Sequence, residues 1–150
     1  VKQREAFRPF APAVLEEFAA EHFALNHPSP FMLEICQVIS PIPLPAVTHV
    51  DGSARIQTVT RAANRRFAEL LRQFYNRTGC PILLNTSFNL RGEPIVCSVI
   101  DAISTFGRSK IDTLVLEDFV IDRTNMPRAW QDFARVRPRA EQELAVYAMV

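Results

Sequence analysis

Three prolines at alternate positions constrain the fold of this chain more than any other feature. Pro41, Pro43 and Pro45 lie in the stretch "SPIPLPA", residues 40–46. Proline has no backbone N–H to give to a neighbouring strand, so this stretch cannot be a central strand of a sheet. We therefore expect an extended surface connection, which separates a strand candidate at 31–39 from the segment that follows.

The remaining segments alternate between strand and helix patterns. "THVDGSARIQTVT" predicts a hairpin around the two-residue turn Asp51-Gly52. A helix over 61–78, ended by Gly79, is predicted by an apolar stripe of Ala63, Phe67, Leu70, Leu71 and Phe74. The other predicted elements are an extended segment over 1–15, a short helix ending near His22, a strand at 81–84, a helix at 99–106, strands at 113–116 and 119–122, and a helix around 139–148. This order predicts an α/β or α+β fold with a mixed sheet.

Composition argues against several classes of protein. A chain of 150 residues, 48% of them apolar, suits one compact domain. The 17 Lys and Arg nearly balance the 16 Asp and Glu, so no global basic field favours nucleic acid. The three cysteines form no CxxC pair and the three histidines no ligand pattern, which indicates reduced thiols and no metal site. There is neither a membrane-spanning run nor a signal-peptide pattern. Because the chain opens on Val1 and a charged stretch, we expect it to be part of a longer protein.

Small polar side chains follow the apolar run at 81–84. Residues two apart on an extended chain share a face, so Asn85, Ser87 and Asn89 line up at the end of a predicted buried strand. Ligands of open α/β sheets sit at such carboxyl ends, where amides and hydroxyls can bind phosphate oxygens or a ribose. The alternative is a loop stabilised by its own Asx and Ser/Thr turns.

Cations are concentrated near the amino terminus. If residues 2–8 are extended, Lys2, Arg4 and Arg8 share one face. Arg binds phosphate as a planar fork and Lys as a point charge, so this mixture suits a polyphosphate. The alternative is a solvated terminus.

A further cation lies in the predicted hairpin. Arg55 shares a face with Gln57, opposite a face of Ala54, Ile56 and Thr58. Burying an unpaired Arg is costly, so Arg55 either faces solvent or binds an anion. His49 and Asp51 are either further polar contacts of a ligand or turn residues, and we interpret them as turn residues.

Four motifs carry a resemblance to a known family: "VKQREAFRPFAPAVL", "THVDGSARIQTV", "LLNTSFNLRGEPIV" and "DTLVLEDFVIDR". Over residues 2–123 the chain resembles the C-terminal, YrdC-like domain of the NodU/CmcH/TobZ carbamoyltransferases. The resemblance implies a domain at 1–123, followed by a partly helical extension at 124–150. It also implies a twisted open sheet with a concave basic nucleotide site. The KxR…SxN signature of YrdC-like proteins corresponds to Lys2-Gln3-Arg4 and Ser87-Phe88-Asn89.

The resemblance also implies an activity. Such a domain forms carbamoyl-adenylate from carbamoyl phosphate and ATP, with Mg²⁺ accompanying the ATP. A preceding actin-like domain, outside these 150 residues, passes the carbamoyl group to an acceptor hydroxyl with Fe or another divalent metal held by histidines. The implied protein is cytoplasmic and has as partners its substrates, the actin-like domain and a second copy in a homodimer. Neither membrane nor nucleic acid is an expected partner.

Roles for individual residues follow from the resemblance and from the charges. Lys2 and Arg8 are expected at the triphosphate or carbamoyl-phosphate oxygens, Arg55 at the carbamoyl phosphate, and Arg4 at either. The α-phosphate, ribose or carbamoyl group is expected to be bound by Asn85, Ser87 and Asn89. The candidates for catalysis are Lys2, Arg8, Arg55 and Ser87, and Arg91 receives no role. Two alternatives are a YrdC-like nucleotide- or RNA-binding module without catalysis, and a domain that only packs against a partner domain.

Overall fold

The computed structural model describes residues 9–130 and residue 132. By their contacts these residues form two units, divided between Thr86 and Ser87. The first unit contains β1 Ala11–Leu15, α1 Ala19–His22, β2 Ile35–Gln37, β3 Ser53–Arg55, β4 Gln57–Val59, α2 Arg65–Thr78 and β5 Ile82–Asn85. The second contains α3 Val99–Arg108, β6 Thr113–Leu116 and β7 Phe119–Asp122. Short 3₁₀ turns lie at Glu16–Phe18 and Arg123–Asn125.

The main sheet of the first unit has β1 at its centre. β4 pairs with β1 in parallel and β5 pairs with it in antiparallel fashion. Pro12 is tolerated in this central strand because of its position. Leu15 N donates to Pro81 O, so the N–H groups of the odd-numbered residues in β1 point toward β5. The backbone nitrogens of the even-numbered residues point toward β4, and that of Pro12, which carries no hydrogen, is one of them. The ladder with β4 begins only at Ala13, so no hydrogen bond is lost at Pro12.

Apolar side chains cover both faces of this sheet. One face carries Val14, Ile56 and Ile82, which pack with Phe23. The other carries Ala13, Leu15 and Val59, on which α2 lays Ala68 and Leu71. All five residues of β1 are buried, and successive side chains point to opposite faces of the sheet. This one strand therefore contributes residues to two separate core clusters.

The predicted hairpin at 48–60 is wrong, although its turn is present. Gly52 N donates to His49 O and His49 N donates to Ser53 O, which closes the turn. The residues before it do not extend into a strand, because Thr48 Oγ1 and Val47 N both donate to Leu44 O and turn the chain back. β3 pairs instead with β2 in antiparallel fashion, and this ladder covers only three of the residues predicted as a strand at 31–39.

The helix predicted at 61–78 begins four residues later, at Arg65. Asn64 is its N-cap, with a side chain that accepts a hydrogen bond from Phe67 N at 3.1 Å. Ala63 therefore lies outside the helix and was wrongly placed on its apolar stripe, whereas Leu70 lies on the helix and is 57% exposed. Gly79 ends the helix with φ at 73°, a left-handed conformation that glycine adopts without strain, as predicted.

The second unit packs α3 against the β6–β7 hairpin. Ser98 caps α3 by accepting a hydrogen bond from Asp101 N at 3.1 Å. The core of this unit consists of Ala102, Phe106, Leu114 and Met126. The predicted strands at 113–116 and 119–122 are confirmed residue for residue.

These elements confirm the α+β class, with small open sheets and separate helices. The proline-rich stretch at 40–46 contains no strand, as predicted. Residues 1–8 and the helix predicted around 139–148 lie outside the described residues. No helix within the described ranges is long and apolar enough to cross a membrane.

Candidate functional site

Two amide side chains meet over the central strand of the main sheet. Asn85 Nδ2, at the end of β5, donates to Gln57 Oε1, at the start of β4, over 2.6 Å. Asn85 lies opposite Ala11 of β1, and Gln57 lies opposite Ala13. Strands two positions apart in a sheet are separated by about 9.6 Å, which two amide side chains can bridge only if the strand between them carries small residues. The two alanines of β1 provide that room.

Gln57 is held from its other side as well. Its Nε2 donates to the backbone O of Pro30 over 3.0 Å. The segment around Pro30 is fixed to β4, because Thr58 N donates to Ser29 O and Ser29 N donates to Thr58 Oγ1, both over 2.9 Å. The Gln57 amide therefore connects Asn85 to a tethered backbone carbonyl.

Arg55 lies two residues before Gln57, and the face predicted for it is confirmed. Ala54, Ile56 and Thr58 are buried, whereas Arg55 is exposed. No carboxylate within residues 9–130 forms an ion pair with Arg55. An exposed guanidinium without a countercharge can bind an anionic group of a ligand with little loss of existing interactions.

Chain topology places two of the predicted segments, those of Arg55 and of Asn85, at one end of the sheet. β1 and β4 begin where β5 ends, since β4 is parallel and β5 antiparallel to β1. Asn85 is thus at the carboxyl end of its strand, as expected. Arg55 and Gln57 are instead at the amino end of β4, because the sheet is mixed. Lys2, Arg4 and Arg8, which precede β1 in the sequence, lie outside the described residues.

The segment after Thr86 belongs to the second unit and forms a closed loop. Ser87 Oγ donates to Asn89 Oδ1 over 2.7 Å, and Asn89 Nδ2 donates to Glu93 O over 2.8 Å. Val96 N donates to Phe88 O over 2.9 Å and closes the loop. The turn chemistry that the sequence offered as an alternative for Ser87 and Asn89 is therefore present, and Ser87 is exposed.

Glu93 fixes this loop to α3, and the sequence analysis did not identify it. Both Nη atoms of Arg108, in the last turn of α3, donate to its carboxylate. At the tip of the loop Glu93 N donates to Leu90 O, with Gly92 at φ 78°. In the sequence, the only indication of this ion pair is a weak one, the opposite charges of two residues fifteen positions apart.

The turn at Asp51 is structural, as interpreted from the sequence. Asp51 Oδ1 accepts hydrogen bonds from Ser53 Oγ at 2.7 Å and from Ser53 N at 3.0 Å. These bonds lower the pKa of the Asp51 carboxyl, because they stabilise its charged form. The Ser53 hydroxyl has one proton and gives it to Asp51, so His49 Nδ1, 2.9 Å from Ser53 Oγ, acts as a donor.

Comparison with known proteins decides the family. The family model described as the carbamoyltransferase C-terminus matches residues 1–123. The chain belongs to the carbamoyltransferase C-terminus family. Among similar proteins, the sll1178 protein of Synechocystis is 48% identical over 154 aligned residues, covering 88% of this chain and 25% of that protein.

Two nodulation proteins give similar matches to this carbamoyltransferase C-terminal domain. NolNO of Sinorhizobium fredii is 49% identical over 144 residues, covering 92% of this chain and 21% of that protein. NolO of Bradyrhizobium diazoefficiens is 46% identical over 139 residues, covering 89% of this chain and 25% of that protein. The chain thus spans about a quarter of the length of these relatives, in agreement with the resemblance to the C-terminal part of the NodU-type carbamoyltransferases.

Proposed function

We propose that this carbamoyltransferase C-terminal domain binds ATP and carbamoyl phosphate and forms carbamoyl-adenylate. Carbamoyl phosphate and water give carbamate and phosphate. A carbamate oxygen then attacks the α-phosphorus of ATP, which forms the new O–P bond and breaks the bond to the departing pyrophosphate. No protein nucleophile is needed, and the domain contributes positioning and stabilisation of negative charge.

The observation that carries this proposal is the exposed Arg55, which has no ion-pair partner among the described residues and lies beside the Asn85–Gln57 amide pair. A guanidinium can bind phosphate oxygens in two-pronged fashion, and an amide can bind neutral polar groups of the same ligand. We assign Lys2, Arg4 and Arg8 to the phosphates and Arg55 to carbamoyl phosphate.

The remaining roles are part of the same proposal. Ser87 and Asn89 hydrogen-bond the α-phosphate, the ribose or the carbamoyl group. Among the described residues no group of three or more His, Cys, Asp and Glu gathers, so Mg²⁺ would be held by ATP phosphate oxygens and water. An actin-like domain elsewhere in the protein would transfer the carbamoyl group, using Fe or another divalent metal. A cytoplasmic location is supported by three cysteines that form no disulfide within the described residues, and a homodimer is included in the proposal.

Calorimetric titration of the chain with carbamoyl phosphate and with ATP tests the proposal. Both ligands should bind, and Arg55→Ala should raise the Kd for carbamoyl phosphate about tenfold to a hundredfold, the effect of losing hydrogen bonds to a charged group. Arg77→Ala is the matched control, because Arg77 is an exposed arginine on α2, and it should leave both Kd values unchanged. Equal effects of the two substitutions would refute the role of Arg55.

Pyrophosphate release by the protein tests the roles of the two signature segments. Lys2→Ala and Ser87→Ala should each slow this release at saturating ATP and carbamoyl phosphate. Unchanged rates would show that these residues do not act on the phosphates. Tight binding of RNA at low salt without affinity for ATP would instead establish a nucleic-acid-binding module.

A further inference from the structure

The backbone carbonyl of Pro30 determines how the amide of Gln57 is oriented. A carbonyl oxygen only accepts hydrogen bonds, so the Gln57 atom that faces Pro30 O must be Nε2. The other atom of that amide, Oε1, then faces Asn85. Since Oε1 also only accepts, the Asn85 atom that faces it must be Nδ2. One backbone oxygen therefore orients two side-chain amides in sequence.

The consequence for Asn85 is a carbonyl oxygen that points away from Gln57. Asn85 is half-exposed, and its Oδ1 has no hydrogen-bond partner in the part of the chain that the structure describes. A rotation that exchanged Oδ1 and Nδ2 would place two acceptors against each other at 2.6 Å. Gln57 thus keeps Asn85 in the orientation in which Oδ1 is offered to a ligand.

We propose that Gln57 is a positioning residue, which holds Asn85 so that Asn85 accepts a hydrogen bond from an N–H or O–H donor of the ligand. This inference rests on the function proposed above and makes it more specific. Of the ligand groups assigned to Asn85 above, the carbamoyl NH₂ and the ribose hydroxyls are such donors, whereas phosphate oxygens accept hydrogen bonds at neutral pH. Asn85 then recognises a neutral group and leaves the phosphates to the cations.

Three ligand pairs test this inference and distinguish the carbamoyl donor from the ribose donors. Acetyl phosphate has a methyl group where carbamoyl phosphate has its NH₂, and 2′-deoxy-ATP and 3′-deoxy-ATP each lack one ribose hydroxyl. In the unsubstituted chain, one of these pairs should show a preference of about threefold to tenfold for the ligand with the donor, the effect of one hydrogen bond between neutral groups. Gln57→Leu should abolish most of that preference, as should Asn85→Ala.

A conservative variant separates positioning from a structural effect. Gln57→Glu can still accept from Asn85 Nδ2 but cannot donate to Pro30 O, so it should keep the preference while weakening binding of both members of a pair through its charge. Gln73→Leu, which removes an exposed glutamine on α2, is the control and should change neither quantity. Urea unfolding of each variant shows whether the fold is retained.

The outcomes distinguish this inference from the proposed function. If both substrates bind and no pair shows a preference, or if Gln57→Leu leaves the preference intact, Gln57 does not position Asn85 and the proposed function still stands. If Gln57→Leu unfolds the chain, loss of the preference in Gln57→Glu would overturn the inference. If the unsubstituted chain binds neither ATP nor carbamoyl phosphate, both fail together.

Discussion

Arg108 and Glu93 form a two-pronged ion pair in which each Nη atom meets a different carboxylate oxygen, with Nη2 and Oε2 3.0 Å apart. The side chains are only 21% and 14% exposed. Asn89 Nδ2 donates to the backbone of the same glutamate. The ion pair therefore anchors the hydrogen bonds that hold Ser87 and Asn89.

Glu93→Gln should lower the free energy of unfolding by about 2–3 kcal/mol, because the mostly buried Arg108 loses its countercharge. The loss is smaller than for a fully buried pair, since both side chains keep some exposure. The matched control is Glu17→Gln, which removes the carboxylate of the exposed Arg72–Glu17 pair and should cost less than about 1 kcal/mol. Urea unfolding measures both values. Similar losses in the two variants would show that burial of the Glu93 pair has no energetic weight.

Asn64→Ala should destabilise the chain by about 1 kcal/mol, because Phe67 N at the start of α2 loses its acceptor. Asn64→Asp should be close to the unsubstituted chain, since a carboxylate accepts the same hydrogen bond and also interacts favourably with the helix dipole. Asn76→Ala, at an exposed position within α2, serves as the control in the same thermal or urea unfolding experiment. An equal loss in Asn64→Asp and Asn64→Ala would contradict the capping role.

Acid should destabilise the first unit through His22. His22 is 3% exposed, its ring Nδ1 lies 2.8 Å from Ser40 Oγ, and burial lowers its pKa below the ordinary 6.5. The pKa of His22 is lower in the folded chain than in the unfolded chain. The contribution of its neutral ring to the free energy of unfolding is therefore complete above pH 6.5 and is lost as the pH falls through the folded-state pKa. We expect a lower free energy of unfolding at pH 5.0 than at pH 7.5.

His22→Gln identifies the source of that pH dependence. Gln cannot titrate but can still hydrogen-bond Ser40, so this variant should lose less stability between pH 7.5 and pH 5.0 than the unsubstituted chain. The Asp51 carboxyl, whose pKa is lowered from 3.8, does not titrate in this range. An unchanged slope in His22→Gln would assign the effect to another group.

Cys97 and Cys36 should react at different rates with a disulfide reagent at pH 7.5. Cys97 is exposed, whereas Cys36 is half-buried and its pKa is raised by burial and by the charge of Glu34. Cys97 should therefore be modified first and Cys36 more slowly. Cys97→Ser should remove the fast phase of labelling, and a fast phase that persists in this variant would contradict the prediction.

Local patterns predicted the elements that depend on local interactions. The strands at 113–116 and 119–122 pair with each other across a two-residue connection, so their sequence contains nearly all the information for the hairpin. The end of α2 at Gly79 was predictable for the same reason. The partner of β3 was not, because β2 lies at residues 35–37 and a separate turn at Leu44 removes the strand expected before Asp51.

In the candidate site, too, some features were predictable from local sequence and others were not. Alternation along the chain was sufficient to place Arg55 and Gln57 on one face. The meeting of Gln57 with Asn85 was not predictable, because it joins residues 28 positions apart across a strand from a third part of the sequence. Gln57 therefore appeared only as a neighbour of Arg55, and its contact with Pro30 O gave no sequence signal.

Ala11 and Ala13 are ordinary core residues by composition, yet they set the clearance above β1 in which the amides of Gln57 and Asn85 touch. Ala13→Val would exchange one apolar side chain for another and could still separate those amides by steric displacement. Under the role proposed for Asn85, recognition of a substrate donor would then be lost through two added carbon atoms that never contact the substrate. Substitution of the small residues of β1 is therefore a way to alter the proposed ligand preference while every polar residue of the candidate site is kept.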